Sequence, residues 1–305
     1  MQDSPLTLEE LEELRLKAKK RDRVSLVLAL ICAPFIFFLA FITMQDPSPF
    51  VTLGSTVAVG AVMLLFVWGG LWWLLVRRTQ KQFTQNFKNR YVLQVIGQEP
   101  GFSALQYFQN RGFSWDDVRN AAVVNCGEAK LFSSEDLLTG TFQGLRFSMS
   151  DVLTARIVSS GKRSHTETIF SGQVICLYGF DQQKSSAGRI QVFQKERMSD
   201  LRGWRAPNPI KTESAEFDSK FQCYAEDAHN AFYILTPQRI QHIQEFSQIA
   251  NCQVALSFWE NNLFIAVRRA DAFEPSLQVP TQEQTENILQ DVRILQAAYR
   301  ILTDA

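Results

Sequence analysis

Two stretches of apolar sequence, VSLVLALICAPFIFFLAFITM at residues 24–44 and FVTLGSTVAVGAVMLLFVWGGLWWLLV at residues 50–76, decide the first part of the fold. Neither contains an acidic, basic or histidine side chain. Each is long enough for a helix to cross the hydrocarbon core of a bilayer, which takes roughly 20 apolar residues. Because the connection at residues 45–49 is short, the sequence predicts a transmembrane hairpin. Everything after residue 76 then lies on the same side of the membrane as the N-terminus.

Basic side chains flank this predicted hairpin on both outer ends, whereas the connection carries only Asp46. They are Arg15, Lys17, Lys19, Lys20, Arg21 and Arg23 before the first stretch, and Arg77, Arg78, Lys81, Lys88 and Arg90 after the second. An excess of lysine and arginine is typical of cytoplasmic flanks. The indole rings of Trp68, Trp72 and Trp73 favour the headgroup layer, so we expect them at the membrane interface beside Arg77, Arg78 and Lys81.

The composition of the remaining chain excludes several classes of protein. The whole chain is formally neutral, and because both basic flanks precede residue 91, the rest is mildly acidic. Nucleic-acid binding requires a basic surface that neutralises phosphates, so no nucleic-acid partner is predicted. The five cysteines are widely spaced and form no CxxC pair, which indicates a reducing compartment and no metal site. No cofactor is predicted.

Helices are expected on both sides of the hairpin. Residues 1–23 predict an amphipathic cytosolic helix, in which Thr7 and Glu10 have the spacing of a capping box. This helix lies at the membrane interface or on the soluble domain in our interpretation, and partner binding is an alternative. Residues 77–120 predict a juxtamembrane helical segment, with a separate short helix at 115–121 capped by Ser114.

From residue 121 to residue 305 the pattern predicts a cytosolic, strand-rich α+β domain with two or more packing helices. Short alternating runs predict strands at 141–149, 153–158, 173–180, 189–194, 217–225, 253–259 and 263–268. Asn261 and Asn262 suit a two-residue hairpin turn. Apolar residues at helical spacing predict helices at 237–250 and 281–302.

Known catalytic patterns do not occur in this domain. The chain has no phosphate-binding loop and no serine in a nucleophile elbow. His242 and Glu245 have a spacing found in metal-binding helices, but no second ligand motif accompanies them. Glu226, Asp227 and His229 are interpreted as an exposed turn between a strand and a helix, although an acid and base cluster is an alternative.

The best recognition candidate lies in a predicted long loop at residues 195–214. Trp204 stands between Arg202 and Arg205 there. Tryptophan and arginine are enriched at binding hot spots, and a loop can present them to a partner. We therefore predict that these three residues bind a partner, and the alternative is that Trp204 folds onto the domain.

Several short motifs in the domain form a recognisable series. They are SEDLLTG at residues 134–140, FSG at 170–172, a run at 217–221, the pair Glu226 and Asp227, and AFYILTP at 231–237. Together with the hairpin they resemble the DUF3137 family of bacterial membrane proteins, also called the Galanin family. The resemblance covers residues 77–302 and implies an inner-membrane hairpin before a cytosolic domain, with no established reaction. Phe232 stands where the family pattern leads us to expect a basic residue.

The motif residues also have simple physical interpretations. Gly140 and Gly172 are expected to supply turn or bulge conformations. Glu135 and Asp136 are either a solvated turn or an anion-repelling site, and we include both among the predicted binding residues.

The sequence as a whole predicts a multi-pass protein of the bacterial inner (cytoplasmic) membrane with both termini in the cytoplasm. We expect its soluble part to be an interaction, scaffold or sensing domain whose partners are the lipid bilayer and another protein or a second copy of the chain. One alternative is a membrane-tethered enzyme that uses Glu135, Asp136, Glu226 and Asp227. A second alternative is an oligomeric channel or transport accessory subunit.

Overall fold

A computed structural model describes residues 6–43, 49–161, 163–179, 188–195, 205–269 and 273–303. The chain divides into two compact units. The first unit contains Met1–Tyr91 and Pro275–Thr285, and the second contains Val92–Glu274 and Glu286–Ala305. Together they form an α+β protein with a long apolar helix pair at the N-terminal end.

The first unit is built on that helix pair. Its helices are α1 (Leu8–Thr43), α2 (Pro49–Leu75) and α3 (Arg77–Asn86), followed by a π-helical turn at Phe87–Tyr91. Helix α1 and the Leu53–Leu75 part of α2 each contain a stretch long and apolar enough to cross a membrane. Most of their large apolar side chains are exposed, including Phe35 and Phe66 at 70% and 79%. Such a surface is rarely left to water in a folded protein.

One helix replaces the two that the sequence predicted for residues 1–44. It starts at the predicted cap, where Glu10 N donates to Thr7 Oγ1 at 3.1 Å and Thr7 N donates to Glu10 Oε2 at 3.0 Å. It then continues through Pro34 to Thr43. The sequence changes from charged to apolar at residue 24, which changes the environment that the side chains prefer. No helix-breaking residue stands at this change, so the helix continues across it.

Helices α1 and α2 meet where a glycine leaves room for a ring. A Cβ atom at Gly60 would lie 2.5 Å from a carbon of the Phe37 ring, so a larger residue would displace this ring. Ala29 and Ala40 are buried on α1. Small residues are common at such helix contacts because they let the backbones approach.

The aromatic series after α2 is buried within the first unit. The Phe83 and Phe87 rings lie 6.2 Å apart, and the Phe87 and Tyr91 rings 5.8 Å apart. The Tyr91 hydroxyl lies 2.8 Å from Thr285 Oγ1. The prediction of helical structure after residue 76 is therefore confirmed as far as Tyr91.

The second unit contains a nine-stranded antiparallel sheet in the order β1-β2-β3-β4-β9-β8-β5-β7-β6 within the described residues. Its strands are β1 (Phe102–Phe108), β2 (Ser133–Phe142), β3 (Leu145–Ser160), β4 (Arg163–Tyr178), β5 (Ile190–Gln194), β6 (Asn208–Ile210), β7 (Phe221–Ala225), β8 (Val254–Trp259) and β9 (Asn262–Val267). Strands β3 and β4 form the longest pairing, from Phe147 opposite Leu177 to Ser160 opposite Arg163.

Helices complete this unit, and their ends agree with the capping signals in the sequence. They are α4 (Val92–Gln98), α5 (Trp115–Ala121), α6 (Ala215–Lys220), α7 (Ala228–Ile234), α8 (Pro237–Ala250) and α9 (Thr281–Thr303). Ser114 and Asp117 form the expected capping box of α5, and Thr236 Oγ1 accepts from Arg239 N at the start of α8. Helix α9 begins with residues of the first unit and continues into the second.

A buried arginine ties α8 to its neighbours. The Arg239 side chain is 1% exposed and donates to the carbonyl oxygens of Ile301 and Ile234, at 2.8 and 2.5 Å. Its guanidinium carbon lies 5.9 Å from the centre of the Phe258 ring on β8. The bond to Ile301 O satisfies a carbonyl group at the end of α9, where a helix leaves carbonyl groups without partners, and the bond to Ile234 O adds to the one that this oxygen accepts from Thr236 N at 3.0 Å.

Two of the predicted strands each span more than one element of the structure. Residues 141–149 contain a hairpin, because Gln143 and Gly144 have φ angles of 47° and 85° and reverse the chain between β2 and β3. Residues 217–225 divide into the end of α6 and the whole of β7. Ser214 caps α6 by accepting from Phe217 N, a local signal that the alternating pattern obscured.

The sheet also begins earlier than predicted. Strand β1 lies inside residues 77–120, which were predicted to be helical. The β8–β9 turn consists of Glu260 and Asn261, because Asn262 already pairs with Trp259. Glu260, with φ of 53°, supplies the left-handed conformation, so the predicted turn was shifted by one residue.

The two motif glycines lie within strands and allow close approach of neighbouring atoms. A Cβ atom at Gly140 would lie 2.8 Å from a Leu105 methyl carbon, and one at Gly172 would lie 2.3 Å from the Val267 carbonyl oxygen. Neither glycine has a positive φ. The space they leave, and not a turn, is what these positions require.

Candidate functional site

The predicted binding residues do not come together in one place. Trp204 and Arg202 lie outside the described residues. Arg205 is exposed, and its guanidinium carbon lies 5.7 Å from the centre of the Tyr224 ring. Glu135 and Asp136 lie in β2 and not in the predicted turn.

The predicted membrane-interface residues lie at the α2–α3 junction. The guanidinium carbon of Arg77 lies 5.7 Å from the centre of the Trp73 ring. Arg78, Lys81 and Trp68 are exposed there, and Trp72 is half-buried. An arginine stacked on an exposed tryptophan suits a surface that is apolar on one side and charged on the other.

A cluster that the sequence did not reveal joins the start of α1 to the start of α9. Glu12 Oε2 accepts hydrogen bonds from Thr281 N at 3.0 Å and from Thr281 Oγ1 at 2.7 Å. Arg15 donates through Nη1 to Leu277 O at 2.7 Å and through Nε to Glu12 Oε2 at 2.9 Å. All four residues, Glu12, Arg15, Leu277 and Thr281, belong to the first unit, and we name them the α1–α9 clasp.

In the clasp, Glu12 caps the N-terminus of α9 although it lies in a distant part of the chain. The first N–H groups of a helix have no partner inside it, and a side chain just before the helix usually accepts from one of them. In α9 the acceptor is Glu12, 269 residues away from Thr281. A carboxylate in this position is also favoured by the positive end of the helix dipole.

Burial and charge make the clasp a specific pairing. Arg15 is 4% exposed and Thr281 is fully buried. The hydrogen bond from Arg15 lowers the pKa of Glu12 from 4.5 to about 2, and the bonds from Thr281 add to this effect while burial opposes it. The same pairing raises the pKa of Arg15. Glu12 is therefore ionised throughout the physiological pH range.

Asp136 occupies a special backbone position in β2. Its φ is 57°, it is 2% exposed, and the β2–β3 register shifts between Glu135 and Leu138. The Tyr107 hydroxyl donates to Asp136 Oδ1 at 2.5 Å. Burial, reinforced by that hydrogen bond, raises the pKa of Tyr107. A left-handed non-glycine residue within a strand is uncommon and marks a constrained bulge.

The acid and base cluster considered around Glu226 has local structural partners. Asp227 Oδ1 accepts from His229 N at 2.8 Å and from Asn230 N at 3.2 Å, which caps α7. Glu226 Oε2 accepts from Arg189 N at 2.9 Å. Asp227 therefore serves the backbone at the start of α7, and Glu226 serves the backbone just before β5.

The described ranges of the chain contain no candidate metal site. Within them, no group of three or more His, Cys, Asp or Glu side chains is placed to hold a metal ion. His242 Nδ1 lies 3.7 Å from Glu245 Oε2, beyond a hydrogen bond. This pair is a helix-surface contact.

An open cavity of about 460 Å³ lies on the sheet across β1 to β4. Its lining residues are Ala104, Gln106, Thr139, Gly140, Thr141, Arg146, Phe147, Ser148 and Tyr178. The guanidinium carbon of Arg146 lies 5.3 Å from the centre of the Tyr178 ring. The Tyr178 hydroxyl donates to Ser148 Oγ at 3.3 Å. We name this cavity the Arg146 groove.

Comparison with known proteins gave one match. A family model described as "Protein of unknown function (DUF3137)" matches residues 168–304, which run from within β4 through α9. No curated protein and no solved structure matches the chain at a significant level. The matched region includes FSG at 170–172 and AFYILTP at 231–237, whereas SEDLLTG at 134–140 precedes it. Residues 168–304 of this chain are therefore similar to the DUF3137 family.

Proposed function

We propose that this protein is a tethered cytosolic domain of the inner membrane that binds a partner or senses a ligand. Helices α1 and α2 cross the bilayer as a hairpin, with both termini in the cytoplasm. The exposed apolar side chains of both helices and the basic residues on their outer flanks support this placement. Arg77 stacked on Trp73 supports a membrane interface at the end of α2.

The observation that carries the proposal is the α1–α9 clasp. Glu12 and Arg15 belong to the same helix that continues into the apolar stretch after residue 23. Their partner Thr281 begins α9, the last helix of the DUF3137 region. A shift or rotation of α1 in the membrane therefore acts directly on the first turn of α9. A passive anchor needs no such buried, charged connection.

Sensing through this connection has a simple physical form. Two states of the clasp, closed and open, differ by a few hydrogen bonds, and anything that binds one state preferentially shifts the equilibrium between them. The ligand or partner acts on the cytosolic domain and α1 transmits the change, or a change in α1 is transmitted to that domain. In thermodynamic terms the coupling is the same in both directions.

The test is chemical cross-linking of the full-length chain in native membranes, followed by mass spectrometry of the captured proteins. Wild type, Glu12→Gln and the control Glu13→Gln are compared, because Glu13 is the exposed neighbour of Glu12. We expect a defined set of cross-links whose yield changes in Glu12→Gln and not in Glu13→Gln. An identical cross-link pattern in all three proteins would contradict a sensing role for the clasp.

A further inference from the structure

The Arg146 groove has an unusual concentration of free hydrogen-bond donors. Arg146, Thr139 and Gln106 all line it, and over the described part of the chain none of these side chains has a hydrogen bond or an ion pair. Ser148 Oγ accepts from Tyr178, which leaves the Ser148 hydroxyl proton free to be donated. Four donors of different shape thus line one cavity.

Tyr178 holds the Arg146 guanidinium in place. Stacking on an aromatic face fixes the plane of the guanidinium and leaves its N–H groups at the edge available. The tyrosine ring is in turn anchored by its hydrogen bond to Ser148, and burial raises the pKa of Tyr178, so the hydroxyl remains protonated. A guanidinium held in this way loses less conformational freedom when it binds a ligand.

The backbone of β1 and β2 creates the space. Ala104 has φ of 52°, and the β1–β2 pairing shifts register between Ser103 and Gln106. This bulge lies in the edge strand next to Gly140, which lines the cavity and lets Leu105 and Phe147 approach its backbone closely. Bulges at sheet edges commonly redirect side chains beside binding sites.

A second cavity, of about 470 Å³, serves as a comparison. It lies beside β6 and is lined by Lys195, Lys211 and Asp218 among others. Two of its charged residues are used internally: Lys195 donates to the Asp218 carbonyl oxygen, and the Asp218 carboxylate accepts from Thr212 N and Oγ1. The Arg146 groove, by contrast, has a cation and no lining carboxylate.

We propose that the Arg146 groove binds a small soluble molecule through a carboxylate or phosphate group. Arg146 supplies the charge and two parallel N–H donors, which match the oxygens of either group. Thr139, Ser148 and Gln106 donate to the remaining oxygens. The volume of the groove suits a ligand of metabolite size. This inference rests on the proposed function, because it names the class of ligand that the sensing domain binds.

Calorimetric titration of the full chain in a maltoside detergent tests the proposal. This detergent contains no phosphate, so lipid headgroups do not compete. Inorganic phosphate and succinate are the two probes, and they separate a phosphate preference from a carboxylate preference. We expect saturable binding of at least one probe, and a loss of about tenfold or more in affinity for Arg146→Ala, as expected for a hydrogen-bonded charge. Arg146→Lys should recover only part of the affinity, because lysine lacks the planar pair of donors.

Arg111→Ala is the matched control. Arg111 is also exposed, and its guanidinium carbon lies 5.1 Å from the centre of the Phe108 ring, but it does not line the groove. This variant should bind the probes as wild type does. The proposal is overturned if neither probe binds up to about 10 mM, well above the range of ordinary metabolite affinities. Equal affinity of wild type and Arg146→Ala, or equal losses in both alanine variants, also overturns it. Because the titration measures neither membrane insertion nor partner capture, its failure is distinguishable from failure of the tethered-domain proposal.

Discussion

Replacing Glu12 with glutamine should loosen the start of α9 without unfolding the protein. The substitution keeps the size of the side chain but removes the charge that pairs with Arg15, which is 4% exposed. It also leaves Thr281 N and Oγ1 with a weaker, neutral acceptor. Arg15 keeps its hydrogen bond to Leu277 O.

The size of this effect follows from two independent lines of reasoning. Loss of a helix cap costs about 1 kcal/mol, and a hydrogen bond to a charged group contributes about 1.5–3 kcal/mol. Separately, the pKa of Glu12 falls from 4.5 to about 2, which corresponds to an upper limit of about 3 kcal/mol. We therefore expect a local loss of about 2–3 kcal/mol, or a roughly 30- to 150-fold increase in opening of the first turn of α9.

Hydrogen exchange measured by mass spectrometry on the detergent-solubilised full chain detects this opening. Peptides that cover residues 281–285 should exchange faster in Glu12→Gln by that factor, whereas Glu13→Gln should match wild type.

The pH dependence of the stabilisation by Glu12 has a definite sign. Because the folded pKa of Glu12 is depressed, its contribution is complete above pH 4.5 and is lost as the pH falls towards 2. Equal exchange of these peptides in wild type and Glu12→Gln would refute the capping role of Glu12.

Three further predictions concern the second unit. Burial raises the pKa of Asp291 to about 7, although Arg269 Nη1 lies 3.1 Å from Asp291 Oδ1. The free energy of unfolding should therefore fall as the pH rises from about 4 to 7. In urea titrations at several pH values, Asp291→Asn should remove this pH dependence. Gly172→Ala places a Cβ atom 2.3 Å from the Val267 carbonyl oxygen on β9 and should lower the free energy of unfolding by about 1–3 kcal/mol. The control Gly97→Ala in α4 should leave the free energy of unfolding unchanged or raise it. Arg239→Ala removes the side-chain donor to Ile301 O and one of the two donors to Ile234 O, which still accepts from Thr236 N. The variant should lower the free energy of unfolding by about 1–3 kcal/mol, measured as a lower urea midpoint with an unchanged denaturant slope.

Local signals in the sequence predicted much of the fold. The apolar stretches, the Thr236 cap of α8 and the Ser114 capping box all depend on neighbouring residues, and each appears in the structure where it was expected. Strand β1 was missed because its sequence, FSALQYF, has a bulge at Ala104 that interrupts the alternation of exposed and buried residues. The predicted boundaries of β2, β3 and β7 were wrong because runs of similar composition are separated by the turn at Gln143 and Gly144 or by the short helix α6.

The clasp and the Arg146 groove could not be derived from sequence, for a different reason. Arg15 was interpreted as one of several basic residues that set membrane orientation, and nothing near it in the sequence indicates burial. Its partner Leu277, and Thr281 as the partner of Glu12, lie more than 260 residues further along the chain. The groove draws side chains from four strands, and a register shift in β1 gives it its shape. Long-range pairing and register are properties of the folded chain.

Cysteine labelling of the two ends of α2 tests the central claim, which is that the apolar helices tether a cytosolic domain. A single cysteine replaces Ser48 or Lys81 in a background in which all five native cysteines are changed to alanine. A membrane-impermeant maleimide is applied to intact cells and to inverted membrane vesicles. We expect Ser48→Cys to react only from outside the cell and Lys81→Cys only in the inverted vesicles. Labelling of both positions from the same side, or recovery of the protein in the soluble fraction, would contradict the tethered hairpin.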